Sequence, residues 1–158
     1  MKLRLICVGK ISAPFLQEGV NEYAARIKRY LPLTTVELKE EKGGGKKVDP
    51  AFIRDREGER IMEKIPPDSF TIVLDERGTS LSSQKFADRL DRHMVQGTRE
   101  LTLVLGGAYG LSSKVKKRGD FLLSLSPLTF THQMARLILL EQIYRGMTIL
   151  RNEPYHNR

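Results

Sequence analysis

The sequence has almost no cysteine and no long apolar run, and both absences narrow the class of protein. Its one cysteine, Cys7, cannot form an internal disulfide and lies within an apolar run. We therefore expect a buried, inert thiol in a reducing compartment. No run approaches the ~20 apolar residues that a membrane helix needs. The N-terminal apolar run ends at Gly9, too soon for a signal peptide. These features predict a cytoplasmic protein with no membrane association.

Motifs for metals, serine hydrolases and common nucleotide sites are also missing. His93, His132 and His156 are far apart in the chain, and there is no CxxC, HExxH or GxSxG. The glycine-lysine loop at residues 41–47 lacks the GxxxxGK[ST] spacing of a P-loop, and GGAYG is not a Rossmann GxGxxG. The sequence thus predicts no metal site and disfavours a Rossmann dinucleotide site.

Acidic residues are fewer than basic ones, so the chain carries a net charge of +8. Such a charge favours polyanionic partners such as RNA, DNA or an anionic membrane surface, although charge alone is equally compatible with a role in solubility. The length of 158 residues fits one domain that buries about 70% of its unfolded surface without disulfides or metals.

Strand-like and helix-like segments alternate along the chain. Apolar runs predict strands at residues 3–8, 34–40, 70–74, 101–105 and 121–125, with a turn at 75–78. Cap signals predict helices beginning at Pro14, at Pro50 after Asp49, and at Ser82 or Ser83, and a long final helix carries Met134 to Arg145. This alternation predicts an α/β fold with a mostly parallel sheet flanked by helices on both faces. We expect His93 to lie on the surface of the third helix.

Three predicted strands end in small or polar residues. The pairs are Leu74 with Asp75, Leu105 with Gly106, and Leu125 with Ser126. Parallel strands bring their carboxyl ends to one edge, where open α/β sheets bind ligands. The alternative is that Gly106 and Gly107 only form a tight turn and that Leu128 and Phe130 are core residues. Tyr109 fits either base stacking or packing.

Three segments, LGGAYG, LTFTHQMARLILLEQIYRG and EPYH, together with the opening KLRLICVGK, carry a family resemblance over the whole chain. The chain resembles the bacterial ribosomal RNA large subunit methyltransferase H family of the SPOUT superfamily. The resemblance implies a homodimer that uses S-adenosylmethionine, without a metal, to methylate N3 of a pseudouridine in 23S rRNA of the ribosome. It also implies one SPOUT domain over residues 1–158, in which 1–67 form the N-terminal part and 68–158 a cofactor-binding part with a trefoil knot.

The resemblance also implies site residues. The cofactor would contact Leu74, Gly106 and the loop formed by Ser126, Pro127, Leu128, Thr129, Phe130 and Thr131. The candidate catalytic residues are His156, Tyr155 and Arg136, with Arg145 as a further contributor. His156 could accept the N3 proton or only position the base. Arg136 and His132 could instead brace the cofactor loop, and the tail could be disordered.

Several alternatives stay open on the sequence alone. A stripe of Met134, Leu137, Ile138, Ile143 and Met147 fits a dimer interface or a monomer core. In a dimer, the tail of one subunit could reach the cofactor of the other. The rival functions are a SPOUT methyltransferase acting on another RNA such as tRNA, and a non-catalytic ribosome- or RNA-binding protein.

Overall fold

The computed structural model describes residues 1–43 and 45–157, and its centre is a five-stranded, fully parallel sheet. The strands are β1 (Lys2–Val8), β2 (Leu33–Leu38), β3 (Phe70–Ser80), β4 (Glu100–Leu105) and β5 (Phe121–Ser124). They are arranged in the order β2-β1-β4-β3-β5. The N-terminal 67 residues supply β1 and β2 to the same sheet as the rest of the chain. The predicted α/β fold with a parallel sheet is confirmed.

Helices cover both faces of this sheet. They are α1 (Pro14–Ile27), α2 (Pro50–Lys64), α3 (Ser83–Val95), α4 (Ser113–Arg118) and α5 (His132–Leu150). The predicted caps are confirmed at α2, where Asp49 accepts from Ala51 N–H and Phe52 N–H, and at α3, where Ser82 accepts from Lys85 N–H. The short α4, with its Ser112 cap, was not expected from the sequence.

Side chains of each strand alternate between two separate cores. Leu3 and Leu5 of β1 face the core under α1, α3 and α5, while Ile6 and Val8 face the core under α2 and α4. Ile143 and Met147 of α5 lie in the first core with only 0% and 1% of their surface exposed. At these two positions the monomer-core alternative is therefore the correct one, because both side chains pack inside the monomer.

β3 does not end at Leu74, so the predicted turn at 75–78 is wrong. The strand continues to Ser80 through an irregularity in which Leu74 and Thr79 both pair with Leu123 of β5. A Cβ atom on Gly78 would lie 2.7 Å from the backbone of Leu122. Glycine therefore permits a backbone approach that the polar sequence of this segment did not reveal.

His93 is buried, with 6% of its surface exposed, so its predicted surface location is wrong. Its ring centroid lies 4.2 Å from that of Phe70, and its Nδ1 lies 3.1 Å from Thr98 Oγ1. Burial, and then the charges of Arg89 and Arg92, lower the pKa of His93. The polar residues next to it in sequence point to other sides of α3.

Gly44 of the glycine-lysine loop and the terminal Arg158 lie outside the described residues. Within residues 1–43 and 45–157, no helix is long and apolar enough to span a bilayer. In the same residues, no group of three or more His, Cys, Asp or Glu side chains is arranged to hold a metal ion. Cys7 is buried, and this burial raises the pKa of its thiol to about 12.

Candidate cofactor cleft and C-terminal cluster

An open cleft of about 1310 Å³ lies at the carboxyl edge of the sheet. Its floor is formed by the ends of β4 and β5 and by residues 74–77, which lie within β3. Seven of the eight predicted cofactor residues line it: Leu74, Gly106, Ser126, Leu128, Thr129, Phe130 and Thr131. Pro127 belongs to the same loop but lies outside the lining.

The turn after β4 makes one wall of the cleft and has no room for a side chain at Gly106. A Cβ atom on Gly106 would lie 2.9 Å from the backbone of Gly110 and from the side chain of Leu111. Gly110 donates its N–H to the carbonyl of Gly107 at 3.1 Å and has a φ of +81°. The two interpretations of this segment are therefore compatible, because the tight turn also forms the wall of the cleft.

The loop at residues 126–131 forms the opposite wall and is held by short local hydrogen bonds. Leu128 N–H donates to Ser126 Oγ at 3.0 Å, and Met134 N–H donates to Thr131 Oγ1 at 3.2 Å, which caps α5. Leu128 and Phe130 are 73% and 39% exposed, so neither is a core residue of this chain. The loop thus presents apolar side chains to solvent around the cleft.

Charged residues of three elements lie around the cleft. Asp75 of β3 accepts from Arg77 N–H at 2.8 Å and forms an ion pair with Lys116 of α4. Burial alone would raise the pKa of Asp75, but Lys116 and the Arg77 N–H outweigh this effect and lower it. Arg54 of α2 reaches the carbonyl of Tyr109 at 3.5 Å. Sequence reasoning missed Arg54 and Lys116, because only helix packing brings them to this edge.

Arg136 lies outside the cleft and has only 1% of its surface exposed. Its Nη1 donates to Glu37 Oε2 and its Nη2 to the carbonyl of Gly9, both at 2.6 Å. His132, one turn earlier on α5, lines the cleft and has its Nε2 3.4 Å from Glu40 Oε1. The contacts of Arg136 join α5, which follows the 126–131 loop, to the ends of β1 and β2. They favour the interpretation that Arg136 braces this loop through α5, without contacting it directly.

The C-terminal tail packs against α1 and α5. Tyr155 Oη lies 3.1 Å from Tyr23 Oη and donates to Glu141 Oε1 at 3.1 Å, while its ring meets Tyr144 edge-on at 4.7 Å. Burial, followed by the hydrogen bonds with Tyr23 and Glu141, raises the pKa of Tyr155. His156 is half-buried beside Arg145. The described part of the tail is thus packed, against the alternative of a disordered one.

One chain does not bring this tail to its own cleft. The cleft is lined by the first turn of α5, from His132 to Ala135, whereas the tail packs beside Glu141, Tyr144 and Arg145. Thirteen residues of helix separate His132 from Arg145, a rise of about 20 Å at 1.5 Å per residue. His156 and Tyr155 are therefore remote from the predicted cofactor residues of the same chain.

Comparisons with known proteins agree with this architecture. The family model described as "Predicted SPOUT methyltransferase" matches residues 1–156. The chain is 61% identical to "Ribosomal RNA large subunit methyltransferase H" of Syntrophotalea carbinolica, with both chains covered completely.

Two solved structures share the fold at low sequence identity. One is the tRNA (m1G37) methyltransferase of Aquifex aeolicus, with a TM-score of 0.55 and 16% identity over 100% of this chain and 76% of that chain. The other is a putative methyltransferase of Legionella pneumophila in complex with the cofactor SAM, with a TM-score of 0.51 and 12% identity over 90% of this chain and 65% of that chain. With the family match over almost the whole length, these findings show that the chain belongs to the SPOUT methyltransferase family.

Proposed function

We propose that this chain transfers the methyl group of S-adenosylmethionine to N3 of a pseudouridine in 23S rRNA of the large ribosomal subunit. The observation that carries the proposal is the cleft between the glycine turn and the 126–131 loop. It lies in a chain that is 61% identical, end to end, to a protein named for methylation of large-subunit rRNA. The comparisons support the RNA class, and the N3 position rests on the family resemblance alone.

The residues of the cleft fit the proposed cofactor. Gly106 places no side chain in the cleft, so its backbone can approach a ligand. Leu74 and Leu125 supply apolar surface for an adenine ring, and the 126–131 loop offers backbone groups for the polar edge of that ring. S-adenosylmethionine supplies an activated methyl group on a sulfonium. The protein's task is then to bind the two substrates in line and to exclude water from between them.

A homodimer would complete the site. Phe15, Leu128 and Phe130 are large exposed apolar residues near the N-terminal ends of α1 and α5, which adjoin through hydrogen bonds between Ser12 and Gln133. A two-fold interface buries the same patch on both subunits. If the α5 helices pack antiparallel across it, each tail lies near the partner's cleft. We therefore propose that His156 and Tyr155 of one subunit lie beside the cofactor bound by the other and complete its active site.

The trefoil knot and the single-domain organisation belong to the same proposal. The close approach of Gly78 to the backbone of Leu122 and the shared five-stranded sheet are compatible with both. A ribosomal substrate places the protein in the cytoplasm. The target would be an unpaired loop nucleotide, whose base edge is accessible and could stack on Tyr109, which is 43% exposed at the cleft.

Transfer of labelled methyl groups tests the proposal. Ribosomes from a strain that lacks this protein are incubated with the protein and methyl-labelled S-adenosylmethionine, and purified tRNA is the parallel substrate. We expect label in large-subunit rRNA and none in tRNA. Label in tRNA alone would overturn the choice of substrate. RNA binding without cofactor binding would favour a non-catalytic RNA-binding protein.

A further inference from the structure

The side chain of Arg145 is held in one orientation beside the C-terminal tail. Its Nε and Nη2 both donate to Glu141 Oε1, one turn earlier on α5, and the Nε distance is 3.0 Å. Its Cζ lies 4.8 Å from the centroid of the Tyr155 ring. The hydrogen bonds with Glu141 also raise the pKa of Arg145, so the guanidinium stays charged. Its remaining nitrogen, Nη1, lies 3.3 Å from His156 Nδ1.

This contact determines which nitrogen of His156 carries the proton. A guanidinium has only donors, so Nδ1 of His156 must accept from Arg145 and cannot carry a proton itself. The proton of the neutral imidazole is then on Nε2. The other charged or titratable groups of this cluster are Glu141 and Tyr144 on α5, Tyr155 in the tail, and Tyr23 and Arg26 on α1. Glu141 already accepts from Arg145 and from Tyr155, and Tyr155 is also hydrogen-bonded to Tyr23.

We propose that Arg145 fixes His156 as the Nε2-protonated tautomer, so that His156 donates a hydrogen bond to the target base instead of removing its proton. This inference rests on the proposed function and on the dimer that brings the tail to the partner's cleft. It chooses between the two roles that the sequence left open for His156. Arg145 is then a positioning residue, acting through His156.

A donor suits the chemistry of N3. This nitrogen lies between two carbonyl groups, and when its proton is lost the negative charge spreads onto both carbonyl oxygens. A hydrogen bond from Nε2–H to one of these oxygens, with the charge of Arg145 behind it, stabilises that anion. The N3 proton passes to solvent water. N3 then attacks the methyl carbon with its electron pair, while the carbon–sulfur bond breaks and the sulfur leaves with the bonding electrons as a neutral thioether.

Nuclear magnetic resonance of the ¹⁵N-labelled full-length protein tests the tautomer directly. The chain has three histidines, so His156→Gln identifies the signals of His156 in long-range ¹H–¹⁵N spectra. We expect a protonated Nε2 and an unprotonated Nδ1 in the wild type near neutral pH. In Arg145→Met, Nδ1 of His156 no longer has a donor from which to accept, and we expect a mixture of the two tautomers. A protonated Nδ1 in the wild type would overturn the inference.

Two substitutions of similar size separate a donor from a base in the reaction. The amide nitrogen of Gln donates from about the position of Nε2, while its oxygen can accept from Arg145; Leu can do neither. If His156 acts as a hydrogen-bond donor, His156→Gln still supplies a donor, and we expect it to keep most of kcat with an unchanged pH–rate profile. His156→Leu should lose about 10²–10³-fold. If His156 is a base, both variants lose activity equally and the acidic limb of the profile disappears.

The two measurements keep this inference separate from the proposed function. If wild-type protein methylates no pseudouridine at N3, the function fails whatever the tautomer. If it does so while Nδ1 is protonated, or while His156→Gln is as inactive as His156→Leu, only the inference fails. The paired result of an Nε2-protonated ring and an active Gln variant supports both.

Discussion

At the residue scale, Gly106 leaves no space for a side chain at the wall of the cleft. A Cβ atom there would lie 2.9 Å from the backbone of Gly110, which cannot move without opening the turn. We expect Gly106→Val to weaken cofactor binding by at least about tenfold, a loss of roughly 1.4 kcal/mol, as measured by isothermal titration calorimetry.

Gly45→Ala is the control for this change. Its nearest neighbour would be the carbonyl oxygen of Lys47 at 4.0 Å, so a methyl group fits there without displacing anything. Unchanged cofactor affinity in folded Gly106→Val would show that this turn is not the wall of the cofactor site.

Arg136 was a candidate catalytic residue, and its surroundings predict a structural effect instead. Arg136→Met removes a buried guanidinium that bonds Glu37 and the carbonyl of Gly9. We expect the free energy of unfolding in urea to fall by about 3 kcal/mol, at the lower end for a broken buried pair because Glu37 is 40% exposed and can be hydrated.

Glu37→Gln keeps the shape of this contact and an oxygen that accepts from Arg136, so it should lower the unfolding free energy by less than Arg136→Met does. If Arg136→Met unfolds like the wild type yet loses methyl transfer, the bracing interpretation is wrong and a direct role in catalysis returns.

At the element scale, the tail and the cleft are separate parts of one chain. We expect a chain ending at Asn152 to bind S-adenosylmethionine as the full chain does, because the described cleft contains no tail residue. Methyl transfer should fall by about 10²-fold or more, since Tyr155 and His156 are gone. Calorimetry and labelled transfer measure the two effects. Loss of cofactor binding, or full retention of transfer, would contradict this division of roles.

The elements that sequence patterns predicted well are those with local signals. Asp49 before Pro50 and Ser82 mark helix starts by side-chain capping, and this signal needs no knowledge of the rest of the chain. The continuation of β3 past Leu74 and the burial of His93 depend on contacts with β5 and Phe70, which are distant in sequence or set by packing. The polar residues at 75–78 therefore suggested a turn, but pairing with β5 makes this segment part of a strand. The polar neighbours of His93 suggested a surface position, but packing against Phe70 buries it.

The residues of the cleft were predictable for the same reason. Strand ends, glycines and the family resemblance predicted the residues that line it at Gly106 and at the 126–131 loop, because these residues follow directly on β4 and β5. Arg54 and Lys116 come from α2 and α4, which pack on the face of the sheet opposite α1, α3 and α5. The hydrophobic periodicity of the sequence does not indicate that these two side chains reach the cleft. The approach of His156 to Arg145 likewise required the tail to fold back along α5.

At the scale of the whole molecule, the account depends on a dimer. Phe15 is 67% exposed on α1 beside the cleft, and a charge there would have to be buried in the interface. We expect Phe15→Glu to be monomeric by sedimentation equilibrium and to lose methyl transfer while still binding the cofactor. Val95 lies at the end of α3 and is 78% exposed, so Val95→Glu is the control. We expect this variant to stay dimeric and to keep methyl transfer. A monomeric Phe15→Glu variant with full activity would show that each chain works alone.

Mapping the methylated nucleotide tests the central claim most directly. Large-subunit rRNA from ribosomes treated with the protein and labelled S-adenosylmethionine would be digested, and the labelled nucleoside identified by mass spectrometry. The account predicts a single labelled pseudouridine that carries the methyl group on N3. Label on another atom or another nucleotide, or no label in rRNA from ribosomes that lack the modification, would contradict it.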